Sequence, residues 1–451
     1  MQDGTAMVRL KGSCTIKPAK PTPNHRLWLS DLDLIQPTTH APLVYFYERT
    51  DAAIDFFSPE FMKDSLSRAL VKYYPLAGRL HPGPSGRLEL ECNAMGVLFV
   101  EAESDAQIDD FGDFKPGPSL RELVPNVDYN TYIGEWSLLL VQLTLFRCGG
   151  VCMGIGINHT IVDGSAVFQF ISAWARIARG DAHVGIDPFF DRTILRARDP
   201  PVPPAFKHEE YDRPPLMLGH VDDHEERSKE TTVEMLRLTR EQVNKIRQQT
   251  TGCNQFQSVA GHVWRAACKA RGLHHDQPTK MYVSVNGRGR LHPRLPDGYF
   301  GNVVFVTTPA GRCSDLVLNP LSHSASRVKE AVEMMKDDYL RSALDFFACH
   351  KDLTPFRRGS HTLGCTQGTF YGCPNINFTS WLGMPIYDAD FGWGPPIHMG
   401  PAALGFEGKA YLIPTREGDG SMLLPIRLQV AHMKAFKDSI YHGLQRINAS
   451  L

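Results

Sequence analysis

Between about residues 187 and 223 the chain carries Pro200, Pro201, Pro203, Pro204, Pro214 and Pro215 interspersed with charged residues. Proline locks φ and lacks an amide proton, so such a stretch forms neither a helix interior nor a central strand. The chain has to cross it in extended form. About 190 residues precede it and about 230 follow, which predicts two comparable domains: 1–190, a crossover linker at 191–223, and 224–451. No internal repeat at a period of about 20 to 50 residues competes with that division.

Helix and strand signals alternate on both sides of the linker, so the expected class is α/β. Ser58-Pro59 pairs an N-cap residue with a proline at the first helical position, and Phe61, Met62, Leu66, Ala69, Leu70 and Tyr73 follow at helical spacing up to Pro75. Arg87 to Cys92 alternates with period two, the mark of a half-buried strand. Trp136 to Phe146 and Val151 to Asn158 read as two more strands around a Gly149-Gly150 turn. Val167, Phe170, Ile171, Trp174 and Ile177 then keep the helical period until Gly180.

Lys plus Arg number 48 and Asp plus Glu 49, so the net charge is -1. Nucleic-acid binding, which favours a basic surplus, is a poor expectation. The opening Met1 to Lys11 has no apolar run of signal-peptide length, and no stretch approaches the roughly 20 residues of a membrane span. The expectation is a cytoplasmic protein without membrane attachment. Its ten scattered cysteines include no C-x-x-C pair, so reduced thiols and no metal site are expected. Cys148 and Cys152 flank the Gly149-Gly150 turn.

Three stretches could carry chemistry. His159-Thr160-Ile161-Val162-Asp163-Gly164 lies where a buried strand gives way to a helix, a rigid place from which an imidazole can act as a general base. A structural histidine beside a capping aspartate fits the same spacing. Asp390-Phe391-Gly392-Trp393-Gly394 contains the Asp-Phe-Gly tripeptide of kinases, but neither an H-R-D-type loop nor a G-x-G-x-x-G loop behind a strand accompanies it. A tight turn remains. Asn286-Gly287-Arg288-Gly289-Arg290, with Leu295 to Asn302 behind it, reads either as a phosphate-facing loop or as a loop entering a strand.

Taken together, these pieces resemble the plant BAHD acyl-CoA-dependent acyltransferases, marked by H-x-x-x-D-G before the domain crossover and D-F-G-W-G late in the chain. The resemblance continues through Tyr74 to Leu80, Gly261 to Arg265 and Gly298 to Asn302. It is closest to the hydroxycinnamoyl transferases, and Ile161 to Gly164, Cys268 to Gly272 and Phe370 to Gly372 echo the spermidine-acylating branch. The resemblance implies a two-domain, chloramphenicol-acetyltransferase-like fold whose channel lies at the domain interface. It further implies acyl-CoA as co-substrate, no resident cofactor or metal, and a monomer.

Within that resemblance His159 is the general base. Asp163 and Gly164 shape its loop, with Arg288 as the partner of Asp163, and Asp390, Gly392, Trp393 and Gly394 are structural. Trp28, His40, Pro42 and Tyr45 match positions around the hydroxycinnamoyl ring, and Gln367, Phe370, Thr379 and Trp381 match the acceptor side. Trp381 or Thr379 would steady the oxyanion. CoA phosphates would meet some of Arg240, Lys245, Arg247 and Arg288.

A shikimate or quinate carboxylate is best held by a bidentate Arg. No Arg occurs from Gly359 to Thr415, while Asp388, Asp390 and Glu407 stand there against the single Lys409. The expected reaction is therefore transfer of a coumaroyl, caffeoyl or feruloyl group from CoA to an amine of spermidine or a related polyamine, giving a phenolamide. The alternative is an O-acyltransferase acting on shikimate, quinate or another alcohol. A catalytically silent acyl-CoA-binding protein is the rival from another class.

Overall fold

The computed structural model describes residues 8–49, 55–357 and 369–444. Two large sheets dominate it. The first runs Val8–Ile16, Val97–Ser104, Leu139–Phe146, Val151–Asn158, His40–Tyr47, His398–Pro401. The second runs Val304–Thr307, Pro278–Asn286, Ile376–Ser380, Lys409–Pro414, Met422–Gln429, Thr231–Leu238, with Ala310–Arg312 paired to Pro278–Asn286. The last strand of the first sheet thus comes from the second half of the chain, pairing His398 to Pro401 with Phe46 to Leu43.

The helices follow local signals. Ser58 Oγ accepts the Phe61 amide at 3.3 Å and caps Pro59–Lys72. Asp163 caps Gly164–Arg179, which ends at Gly180 with φ +75°, the left-handed geometry that glycine adopts without penalty. Both helices pack into the main core through Met62, Leu66, Leu70, Phe170 and Trp174. Gln255–Arg271 covers the outer face of the second sheet, where Phe256 lies 5.8 Å from Phe378.

The proline-rich segment holds only single helical turns at Thr193–Leu195 and Glu209–Tyr211, plus one bridge from Phe189 to Tyr299. It is anchored to the second half: His208 bonds Glu210 at 2.8 Å and Ser342 at 2.9 Å, and all three are buried. Among the described residues, no helix is long and apolar enough to cross a membrane.

The second sheet has a chemical asymmetry that positions the site. Successive strand residues face opposite sides. Met281, Val283, Ile376, Phe378, Ala410 and Leu412 are buried in the apolar core. Ser284, Asn286, Asn377, Thr379, Lys409 and Tyr411 point the other way and line a cavity.

Candidate active site

The strand Val151–Asn158 is buried along its whole length and ends at His159. Asn158 shapes the turn: its side-chain amide donates to Thr38 O at 2.8 Å, and its Oδ1 accepts the Thr160 amide at 3.1 Å. His159 itself is held by its backbone, with N–H to Thr39 O at 3.2 Å and carbonyl to Asn302 Nδ2 at 3.0 Å. The side chain lines a cavity of about 480 Å³.

Asp163 accepts four bonds. Oδ1 takes Ala166 N at 3.1 Å and Arg288 Nη2 at 2.9 Å, and Oδ2 takes Arg288 Nη1 at 2.7 Å and Val303 N at 2.9 Å. A carboxylate has about four acceptor sites, so its capacity is filled. It fixes the loop against the second half of the chain and has none left for a proton relay. The Asp163–Arg288 pair that the family resemblance implies is present. Gly164 borders the cavity without steric need for glycine, since an added Cβ would meet Met384 Sδ at 3.6 Å, an ordinary contact.

A second buried network supports the same loop, and sequence reasoning missed it. Asp33, fully buried, pairs with Arg192 at 3.0 Å, and Arg192 Nη2 donates to Ile161 O at 2.8 Å. Asp33 Oδ1 also takes the amide and side-chain nitrogen of Asn302 at 3.0 and 2.8 Å. Asn302 then donates to the carbonyls of His159 and Thr160. Asp33 is well supplied with donors, while Arg192 Nε finds no hydrogen-bond partner among the described residues, and the pair joins a short helix, the linker and two loops.

The other candidates divide. Pro42, Thr379 and Trp381 line the cavity, as do Leu43 and Tyr371. Trp381 packs on Phe168 at 5.6 Å and Tyr411 at 4.9 Å. Trp28 does not reach the cavity: it sits on a separate small sheet between the guanidinium groups of Arg87 and Arg196, each 4.9 Å from its ring. His40 faces away, bonded to Tyr129 Oη at 3.0 Å and Ser137 O at 2.7 Å, and burial pushes its pKa down to about 4. Tyr45 lies further along the strand inside the core, where burial raises its hydroxyl pKa. Phe370 sits under Arg227, 4.9 Å away, and its neighbour Tyr371 lines the cavity instead. Gln367 lies outside the described residues.

The Asp390–Gly394 motif is a turn remote from the cavity wall. Asp390 Oδ1 accepts the amides of Gly392 at 2.8 Å and Gly394 at 2.9 Å. Both glycines have positive φ, +113° and +97°, which other residues adopt only under strain. Trp393 packs on Phe56, Phe57 and Phe61, and Phe391 on Trp174. The loop from Asn286 is not a phosphate cradle: Arg288 is held by Asp163, and Arg290 donates to the carbonyls of Val332 and Met335.

The acids counted in favour of a polyamine do not face the cavity. Asp388 is exposed, Asp390 holds its own turn, and Glu407 is buried against Arg271 at 2.8 Å. Among the described residues lining the cavity, Lys409 is the only Lys or Arg. A count along the chain reads as acidic, while the wall itself carries a cation.

The model of the Transferase family matches residues 6–443. The shikimate O-hydroxycinnamoyltransferase of Nicotiana tabacum is 46% identical over 442 residues, covering 96% of this chain and 99% of that protein. The hydroxycinnamoyl-CoA:piscidic acid hydroxycinnamoyltransferase of Actaea racemosa is 45% identical, covering 97% and 100%. Vinorine synthase has the same fold, with a TM-score of 0.74 at 23% identity, covering 97% of this chain and 98% of its own.

Proposed function

The chain belongs to the BAHD acyl-CoA-dependent acyltransferases, and from that premise we propose that it moves a hydroxycinnamoyl group from CoA to a hydroxyl of an alcohol acceptor, shikimate being the first to test. Hydroxycinnamoyl transfer is the activity of its relatives, and acyl-CoA is the family's co-substrate, with no resident cofactor. The observation that carries the reading is His159 on the wall of a 480 Å³ cavity, with its backbone clamped by Thr39 and Asn302.

In this mechanism the His159 imidazole takes the acceptor hydroxyl proton as the oxygen attacks the thioester carbonyl. The tetrahedral oxyanion then collapses, the C–S bond breaks, and the departing thiolate recovers the proton from the imidazolium. General-base assistance of this kind is worth about 10² to 10⁴ in rate. Asp163 and Arg288 hold the loop, and Trp381 and Thr379 line the same cavity, in which a donor to the oxyanion is needed. The spermidine reading loses its support, because its acids lie off the cavity wall.

The test is thiol release from p-coumaroyl-CoA by purified protein, with shikimate and spermidine in parallel and products weighed by mass spectrometry. An ester of shikimate is expected. Amide products with spermidine alone would reverse the assignment.

A further inference from the structure

The cavity wall carries one feature that acyl transfer by His159 does not use. Lys409 opens the strand Lys409–Pro414, and the strand period turns it and Tyr411 into the cavity while Ala410 and Leu412 enter the core. It is only 8% exposed. A lysine this buried is retained at a cost unless it is well hydrogen-bonded. Its Nζ donates to Asn377 Oδ1 at 2.7 Å and Thr379 Oγ1 at 2.8 Å, and lies 4.5 Å from the centre of the Tyr411 ring. Asn377 and Thr379 are one dyad apart on the neighbouring parallel strand, in register with Lys409 and Tyr411.

Resting on the acyl-transfer reading above, we propose that Lys409 is the specificity-determining residue for the acceptor and that the acceptor it selects carries a carboxylate. Asn377 and Thr379 offer neutral oxygens, so they fix the position of the ammonium without opposing its charge. Among the described residues lining the cavity Asp163 is the one carboxylate, and Arg288 engages it. A polycation entering this cavity meets a fixed like charge, whereas a carboxylate meets a charge-assisted donor already held in place. Lysine grips an anion as a point charge where arginine would fork around it. This is how a carboxylate is held in a chain with no Arg from Gly359 to Thr415. Thr379 then has a second role: it orients Lys409.

The test compares shikimate with its methyl ester, using p-coumaroyl-CoA as donor, in the wild type and in Lys409→Met, Lys409→Gln and Lys409→Arg. Wild type is expected to favour the acid over the ester about tenfold to a hundredfold in kcat/KM, the scale of one charge-assisted hydrogen bond. Lys409→Met and Lys409→Gln should bring that ratio close to one, because KM for the acid rises by more than KM for the ester. Lys409→Arg should keep the preference. Glutamine keeps a neutral amide facing Asn377 and Thr379, so it serves as the second variant if methionine loosens the strands.

Calorimetric binding of shikimate in the presence of CoA reads the same contact without turnover. If no acceptor releases thiol, the acyl-transfer reading fails. Shikimate binding that is lost in Lys409→Gln would still uphold the carboxylate contact. An unchanged acid-to-ester ratio in Lys409→Gln, or shikimate binding that is equal in wild type and variant or absent from both, overturns the proposal.

Discussion

His159 and Asp390 each begin a short motif that ends in glycine, yet the two motifs relate to the cavity in opposite ways. The first projects a titratable ring onto the wall and is clamped from behind by Asp163–Arg288 and Asp33–Arg192. The second turns its only charged side chain onto its own backbone and packs its aromatic rings against Phe56, Phe57, Phe61 and Trp174. From its glycines the chain leads to His398–Pro401, the strand that joins the first sheet. A motif can therefore mark a family through chemistry or through architecture, and the contrast predicts that damage to the two will separate into rate and stability.

The largest effect should come from His159→Ala. Both backbone bonds of His159 survive that change, so the melting temperature should stay near wild type while kcat/KM falls about 10²- to 10⁴-fold. Thiol-release kinetics and a melting curve on the same sample decide it. Activity within a few-fold of wild type would remove His159 from the chemistry and break the comparison at its first term.

Trp393→Ala should do the reverse. The ring is half-buried against three phenylalanines, and losing those contacts should cost about 2 to 3 kcal/mol of stability, somewhat below the value for a fully buried aromatic. Below the lowered melting temperature, KM for donor and acceptor should match wild type. A raised KM for the donor at unchanged stability would mean that the second motif also serves the substrate.

What could be read in advance was local. Ser58-Pro59 and Asp163 start helices, and Gly180 ends one, through contacts within four residues, so their signals lie in adjacent letters. The histidine at the end of a buried strand was legible for the same reason. Asp33, Arg192 and Asn302 were not, because each owes its role to a partner far along the chain, and an Asp in Asp31-Leu32-Asp33-Leu34 looks like any acid in a short helix. Trp28, Tyr45 and Phe370 show the complementary error: an aromatic residue is visible in sequence, but whether its place in the fold reaches the cavity is not. Lys409 is the sharpest case. It was counted as one cation against three acids, and only the strand face sorted those charges, sending the acids to solvent, to a turn and to Arg271.

The smallest expected effect tests the architectural side at acid pH. His398, four residues after the second motif, is 4% exposed and stacked on Phe114 with ring centres 4.4 Å apart. Burial pushes its pKa down to about 3, so it is neutral in the folded protein. The unfolded chain takes up a proton below an ordinary value of about 6.5. Its contribution to stability is therefore complete above about pH 6.5 and is lost progressively as pH falls toward 3, by at most about 1.4 kcal/mol per unit. Nε2 finds no hydrogen-bond partner among the described residues, so His398→Phe forfeits no bond there and should be nearly neutral at pH 7. At pH 5 the variant should exceed wild type by about 1 to 2 kcal/mol in urea unfolding. His40 keeps its own acid sensitivity in both proteins, so the variant's curve should flatten without becoming level. Parallel curves between pH 7 and pH 5 would show that His398 does not titrate with unfolding, and that the acid lability lies elsewhere in the fold.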